Sequence, residues 1–244
     1  MATVKDHYDS FLGSVYSWIL GDFDNARRKS EAFFSELSLA PGNDSVAVDL
    51  GCGPGCQSLP LAGLGYKVLA IDFCQPLLDE LCERAGDLPI EPVCDDLRNF
   101  AKHLPGPADL IVCMGDTLVH LPDTNSVRIV IDDVCNALKP GGRFVYAIRD
   151  YVSFVPEATQ RFIPIRADDQ QIFTCFLDYR DDVVHVHDLL YSRIDGAWQM
   201  TISDYLKLRL DTSKINGQLA DHGLHIEALQ EQDGMIFVVA SKPL

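Results

Sequence analysis

Short apolar runs recur along this chain, separated by segments of helical period. Val46-Ala47-Val48-Asp49-Leu50 is apolar but for one acid, and Lys67-Val68-Leu69-Ala70-Ile71-Asp72 repeats the form with an acid at its tip. Runs this short, flanked by glycine, predict strands buried on both faces. Three more follow, weaker at 89–94, strong at 109–114 and again at 143–148. Between them, residues 58–63, 76–85 and 127–138 read as helices, with Leu77, Leu78 and Leu81 on one face of the second. Lys139-Pro140-Gly141-Gly142 stops the third helix, because proline and glycine do not continue it. Strand and helix alternating over connections of this length predict an α/β fold with a parallel, doubly wound sheet.

The two ends of the chain follow other patterns. Phe11, Leu12, Val15, Tyr16, Ile19 and Leu20 fall at near-helical spacing, and residues 26–37 repeat it, with a break at Gly21-Asp22 and a stop at Pro41-Gly42-Asn43-Asp44. Tyr8, Tyr16 and Trp18 are concentrated in the first of these helices. Core packing is the plainer account of them, and a lid of aromatics over a cationic ligand the functional one. From 171 to 210 the pattern holds three strand-like runs and no helix, at 172–179, 183–192 and 198–210. Asp181-Asp182 and Asp195-Gly196 form the turns, the latter a strong hairpin signal, so an antiparallel insertion is expected. A helix over 213–222, capped by Gly223, and strands at 224–229 and 235–240 around Asp233-Gly234 close the chain. No linker is polar enough to separate independent domains, so residues 1–244 are expected to form one.

Composition narrows the function classes. A hydrophobic content of 47% with 23% charged residues describes a soluble globular protein. A formal net charge of −16 argues against nucleic acid as substrate, since phosphate binding needs a basic face. The one clear basic cluster, Arg27-Arg28-Lys29, is offset by Asp22, Asp24 and Glu31 and reads as a solvated helix face. Eight cysteines lie mostly inside apolar runs, where they behave as small buried hydrophobes. With no signal peptide ahead of them, disulfides are not expected and a cytoplasmic location is. Cys52 and Cys56 have no second Cys/His pair at zinc-finger spacing, so no metal is expected there. No apolar run approaches the roughly 20 residues that span a bilayer, so no membrane partner is expected.

The turn Gly51-Cys52-Gly53-Pro54-Gly55 has a specific physical task. Glycines remove the Cβ atoms that would hold a ligand off the backbone, and N–H groups at the start of the following helix can meet a polar or anionic group. Asp72, at the tip of the next strand, is placed to accept hydrogen bonds from ribose hydroxyls. A dinucleotide fingerprint would run G-x-G-x-x-G/A, whereas Cys56 stands at the sixth position here. Asp49 lies two residues before the first glycine, where it would repel a pyrophosphate and attract an ammonium group. These details favour a ligand with an amino-acid end.

Val48-Asp49-Leu50-Gly51-Cys52-Gly53-Pro54-Gly55 resembles the first motif of class I S-adenosylmethionine-dependent methyltransferases. The resemblance runs from about residue 40 to the end of the chain. Ala70-Ile71-Asp72-Phe73 is similar to that family's ribose-binding acid and the residue after it, which stacks near the adenine. Cys94-Asp95-Asp96-Leu97-Arg98 resembles the segment that meets the adenine amino group, with Asp96 the preferred acid and Leu97 supplying backbone. Leu110-Ile111-Val112-Cys113-Met114-Gly115-Asp116 resembles the fourth motif, whose backbone, at Cys113 and Met114, lies beside the methionine part. Leu138-Lys139-Pro140-Gly141-Gly142-Arg143-Phe144 is similar to the family's lead into strand five. The resemblance implies a Rossmann-like seven-stranded sheet with an antiparallel last strand. It also implies an N-terminal helical lid (residues 1–40) that brings Tyr16 to the cofactor, and a β insertion (151–210) roofing the site, as in glycine N-methyltransferase-like enzymes.

The expected function is then transfer of a methyl group from S-adenosylmethionine to the N, O or S atom of a small molecule. Cys113-Met114-Gly115-Asp116 lacks the Asn/Asp-Pro-Pro-Tyr/Phe signature of enzymes that methylate nucleic-acid or protein amides. Asp116 stands where glycine-type enzymes carry asparagine. His120 is the candidate general base, with loop packing as its alternative role. Arg149, Tyr151, Tyr205 and Arg209 are candidates for holding a polar substrate group, Arg149 foremost because it follows strand five directly. His185 and His187 alternate on one strand face beside Asp188, and without an evident third ligand they read as an exposed sheet face, with no metal expected. A nicotinamide-dependent oxidoreductase and a non-catalytic S-adenosylmethionine-binding protein are the alternatives, and a homo-oligomer is compatible with all three.

Overall fold

The buried runs pair with one another in parallel, as their double-sided apolar character requires. β1 (Val46–Leu50) lies between β2 (Lys67–Asp72) and β4 (Ala108–Cys113), β2 carries β3 (Ile90–Cys94) at its outer edge, and β5 (Leu138–Arg149) pairs with β4. The computed structural model describes residues 3–153 and 155–244 and divides into two compact units. The larger comprises Asp22–Arg149 and Asp211–Leu244, the smaller the residues up to Gly21 together with Asp150–Leu210.

In the larger unit, β10 (His225–Gln232) and β11 (Met235–Ser241) complete a seven-stranded sheet of order β10-β11-β5-β4-β1-β2-β3. β11 runs antiparallel to both neighbours, which bears out the expected last strand. Its helices are α3 (Phe23–Glu36), α4 (Ser58–Gly63), α5 (Gln75–Ala85), α6 (Thr124–Ala137) and α7 (Thr212–Asp221). Side-chain capping starts α3, α6 and α7: Asp22, Asp123 and Asp211 each accept a backbone N–H of the first turn. The expected stop at Lys139-Pro140-Gly141-Gly142 is absorbed into β5, which begins at Leu138 with a register irregularity against β4. The core centres on β1, whose Ala47, Val48 and Leu50 are fully buried, with Phe34, Leu61 and Leu81 packed from the helices.

The smaller unit holds an antiparallel sheet of four strands, not three: β6 (Phe162–Ala167), β7 (Gln171–Tyr179), β8 (Val183–Ile194) and β9 (Ala197–Leu208). Pro164 interrupts the apolar run of β6 and hides it in the sequence; the strand lies at a sheet edge, where a missing N–H is tolerated. Asp195 and Gly196 both adopt positive φ, the turn that twists with its flanking strands. The N-terminal segment comprises α1 (Val4–His7), a wide π turn over Tyr8–Leu12, and α2 (Tyr16–Leu20). Phe11, Leu12 and Val15 pack on Phe173 and Leu190, with Tyr8, Tyr16 and Trp18 against the same cluster. Those aromatics therefore serve a core, the plainer of the two accounts. Trp18 Nε1 donates to Asp168 Oδ2 at 2.7 Å.

His7 anchors this arrangement from within. Its ring is fully buried and stacks on Tyr205 with centroids 4.3 Å apart. Nδ1 lies 2.6 Å from Ser203 Oγ, and Nε2 lies 3.2 Å from the buried Asp188 carboxylate. Replacing His7 with alanine removes a buried ring and leaves an acid and a hydroxyl without it, a loss of about 3 kcal/mol. Urea unfolding should show a lowered midpoint, whereas exposed Lys5→Ala should leave the midpoint unchanged within about 0.5 kcal/mol.

Candidate active site

The site is built on the carboxyl end of β1. Asp49 is 1% exposed among apolar neighbours, and its Oδ2 accepts a hydrogen bond from Ser58 Oγ at 2.6 Å. Burial pushes its carboxyl up to about 7; the Ser58 contacts oppose that rise and the charge of Asp72 adds to it. Ser58 opens α4, so this one bond joins the end of the strand to the helix after the turn. The sequence reading missed Ser58, although a hydroxyl at a helix start nine residues past the acid was the available signal.

The turn between them is held mostly by its own N–H groups. Gly51 and Cys52 donate to the Ile71 carbonyl at 2.8 and 3.0 Å, Gly53 to Asp72 Oδ2 at 2.8 Å, and Gly55 to the Cys52 carbonyl at 3.0 Å. Gly51, Cys52 and Gly53 thereby fasten the turn to β2, and Gly55 closes it on itself. Gly51 and Gly53 both have positive φ, yet differ in surroundings. A Cβ on Gly51 would lie 2.4 Å from Thr117 Cγ2, whereas one on Gly53 would meet no atom within 4 Å. Gly51 is thus required by close packing, and Gly53 leaves an open cradle over the backbone. Asp72 Oδ1 accepts from the Cys74 N–H at 2.8 Å, and burial raises its carboxyl too. With the Phe73 N–H as a third backbone donor, the carboxylate keeps one lone pair for a further one.

The remaining candidates of this unit line up at the same strand ends. Phe73 follows Asp72, half-buried. Asp96 accepts from the Arg98 N–H and side chain at 2.6–3.1 Å, and the Arg98 guanidinium holds its carboxyl below the usual range. Leu97 is buried one residue on. His103 and Asn99 hold neighbouring Asp95 at about 2, which makes Asp95 a structural acid. Cys113 and Met114 are buried, and the Met114 carbonyl accepts from Thr117 Oγ1 at 2.8 Å. Burial raises the thiols of Cys52, Cys56 and Cys113, so they stay protonated, as small buried hydrophobes should. Asp116 is buried, with Oδ1 accepting from the Arg149 N–H at 2.8 Å, which ties the loop after β4 to the end of β5. The Arg149 side chain is exposed beside the Gly234 turn, and His120, half-buried, ends the short 3₁₀ helix Thr117–His120.

The other four named residues belong to the smaller unit. Tyr16 stands on α2, its ring 6.1 Å from that of Tyr8. Tyr205 is the ring stacked on His7, and burial raises its phenol. Tyr151 is 2% exposed, its hydroxyl 3.3 Å from Lys207 Nζ. Arg209 donates to the carbonyls of Tyr151, Arg180 and Asp181 at 2.7–3.1 Å, and so fastens the β7–β8 turn. Those contacts correct the sequence expectation for Tyr205 and Arg209: both side chains are engaged in the interior and turn of their own unit.

Comparison with known proteins agrees with this geometry. The family model for a methyltransferase domain matches residues 47–142. The chain is 24% identical to the rat (Rattus norvegicus) glycine N-methyltransferase over 162 residues, 61% of this chain and 55% of that enzyme. It thus spans about half the length of the curated relatives it matches. Among solved structures, an S-adenosylmethionine-dependent methyltransferase from Clostridium acetobutylicum superposes with a TM-score of 0.74 at 20% identity, covering 97% of this chain and 99% of that one. CalS10, an amino pentose methyltransferase from Micromonospora echinaspora, gives 0.74 at 15% identity over 95% and 96%. Residues 47–142 thus match a methyltransferase domain, and the fold is the one these solved S-adenosylmethionine-dependent and amino pentose methyltransferases share.

The raised carboxyl of Asp49 carries a stability signature. An acid whose pKa in the fold exceeds its unfolded value favours the native state while protonated. That contribution is present near pH 4 and is lost as pH rises through about 7. Asp49→Asn keeps an oxygen for Ser58 and removes the charge. Its thermal midpoint should exceed that of the parent at about pH 8, by roughly 2–4 °C per kcal/mol regained, with a smaller gain at about pH 5. Gly51→Ala should lower the midpoint through its contact with Thr117, while Gly53→Ala should cost only the roughly 1–2 kcal/mol of a left-handed alanine.

Proposed function

We propose that the protein transfers a methyl group from S-adenosylmethionine to a small-molecule acceptor. The observation that carries this reading is a fully buried acid, Asp49, held by a neutral hydroxyl and raised by burial beside a second raised acid, Asp72. Such a pair calls for a cationic ligand with hydroxyl donors and disfavours a pyrophosphate. S-adenosylmethionine fits that donor set, with an ammonium group for Asp49 and ribose hydroxyls for Asp72. The bare backbone around Gly53 accommodates close approach, with Gly51, Cys52 and Gly55 fixing its path. Phe73 would flank the adenine, and Asp96 and Leu97 would meet its amino edge, Asp96 sharing its carboxylate with Arg98. The backbone at Cys113 and Met114 would lie along the methionine part.

When bound, the cofactor supplies an electrophilic methyl on a positively charged sulfur. The chain's own contribution is alignment and exclusion of water, both favoured by strand ends whose donors are already fastened. His120 would take the proton from an acceptor that arrives protonated, and Arg149 would hold an anionic or polar substrate group. An amine is the first acceptor class to test, since glycine N-methyltransferase and an amino pentose methyltransferase are both among its relatives.

Calorimetry should show one site for S-adenosylmethionine, weakened by about tenfold or more in Gly53→Ala and Asp72→Ala. Because the ammonium pairs with ionised Asp49, the association constant should rise by up to about tenfold per pH unit and level off above about 7. A labelled-methyl screen over amines, thiols, phenols and carboxylates should yield a methylated product. Absence of binding by the cofactor and its demethylated product overturns the reading; binding without transfer to any acceptor class makes the protein a non-catalytic binder.

A further inference from the structure

The four-stranded sheet gathers a set of side chains that methyl transfer leaves unused. Strand pairing sets Asp178 of β7 opposite His185 of β8, and Asp204 of β9 opposite His187. His185 and His187 are two residues apart and share a face, their ring centroids 4.1 Å apart. One ligand atom from each of Asp178, His185 and His187 lies within 4.8 Å of the others. The expected exposed face with no third ligand is thereby corrected: His185 is buried, and the third group arrives from the neighbouring strand. Asp188, adjacent in sequence, points to the other face, toward His7.

A cation already bridges part of this set. Arg180, in the turn after β7, places Nε 3.0 Å from Asp178 Oδ2 and Nη2 2.7 Å from His185 Nδ1. His185 Nε2 lies 2.7 Å from Asp204 Oδ2. The Asp204 carboxylate can only accept, so Nε2 carries the ring proton and donates to it, while the Nδ1 lone pair accepts from the guanidinium. A histidine with one nitrogen held by a carboxylate and the other presenting its lone pair is how metal-ligating histidines are oriented.

We propose that Asp178, His185 and His187 form a binding site for a divalent transition-metal ion of the Zn²⁺ type, which displaces the Arg180 guanidinium. Two imidazoles and one carboxylate, with water in the fourth position, match the ligand preferences of Zn²⁺; Ca²⁺ and Mg²⁺ call for oxygen-rich sets. Arg180 is half-exposed, so its side chain can move into water. Bonds of about 2.0–2.1 Å draw the ligand atoms closer than they now stand, within the rotamer freedom of the half-buried Asp178 and His187. The ion would clip β7 to β8.

The test is Zn²⁺ calorimetry and Co²⁺ absorption on the untagged full-length protein. One equivalent should bind, with the d–d spectrum of a tetrahedral site free of thiolate charge transfer. Asp178→Asn and His187→Ala should each weaken it by about tenfold or more, and Arg180→Ala should tighten it by about tenfold. Lack of a one-equivalent site overturns the proposal. So does an affinity unchanged by both ligand substitutions, which would place the metal at the exposed thiols of Cys82 and Cys94. Unchanged or weaker binding in Arg180→Ala would refute displacement of the guanidinium.

Discussion

A carboxyl group buried at the end of a central strand is the constraint around which the larger unit is arranged. Asp49 sits between fully buried Val48 and Leu50, where a charge is unfavourable unless something meets it. Ser58 does so from the first residue of α4, which fixes where the chain leaves the glycine turn. The turn is fastened in parallel to β2 through the Ile71 carbonyl and the Asp72 carboxylate. The result is a preorganised edge whose polar groups are satisfied among themselves, apart from the charge that burial suppresses. A cationic ligand would supply what the fold lacks there, and stability and binding would then pull in opposite directions at one residue.

The smaller unit handles buried polar groups differently. His7 stands under a layer of aromatics with Nδ1 hydrogen-bonded to Ser203, while Nε2 faces the Asp188 carboxylate at 3.2 Å without a hydrogen bond. Arg209 likewise joins three carbonyls around the β7–β8 turn. On the opposite face of the same sheet, His185, His187 and Asp178 leave a group of acceptors shared with a single guanidinium. The two faces of β8 thus carry opposite solutions, one closed and one open to exchange of its cation. Strand alternation is what separates them, since His187 and Asp188 are adjacent in the chain and point apart.

Much of the larger unit was legible from residues alone. Its central strands are buried on both faces and its longer helices on one, so hydrophobic periodicity maps directly onto burial there. Asp49, Asp72 and the glycines point to a ligand in the sequence, and the structure adds a packing role for Gly51 and a part for Asp72 in fastening the turn. Ser58, Thr117 and Arg98 escaped notice because their importance lies in what they touch. The edge strand β6 was hidden by Pro164, and Tyr205, read as a candidate for holding a polar substrate group, is set in the interior by the register of β9.

Sequence by itself determined the order of elements, the sheet type and the location of the glycine turn, because each rests on local propensity and on a periodic pattern that burial imposes. Tertiary structure alone decided which acids are buried together, which donors are already engaged, and which side chains meet across strands. Those are properties of register and of long-range contact: Asp178 and His185 become partners, and Asp188 and His7 become partners, only when particular strands and a helix are set side by side.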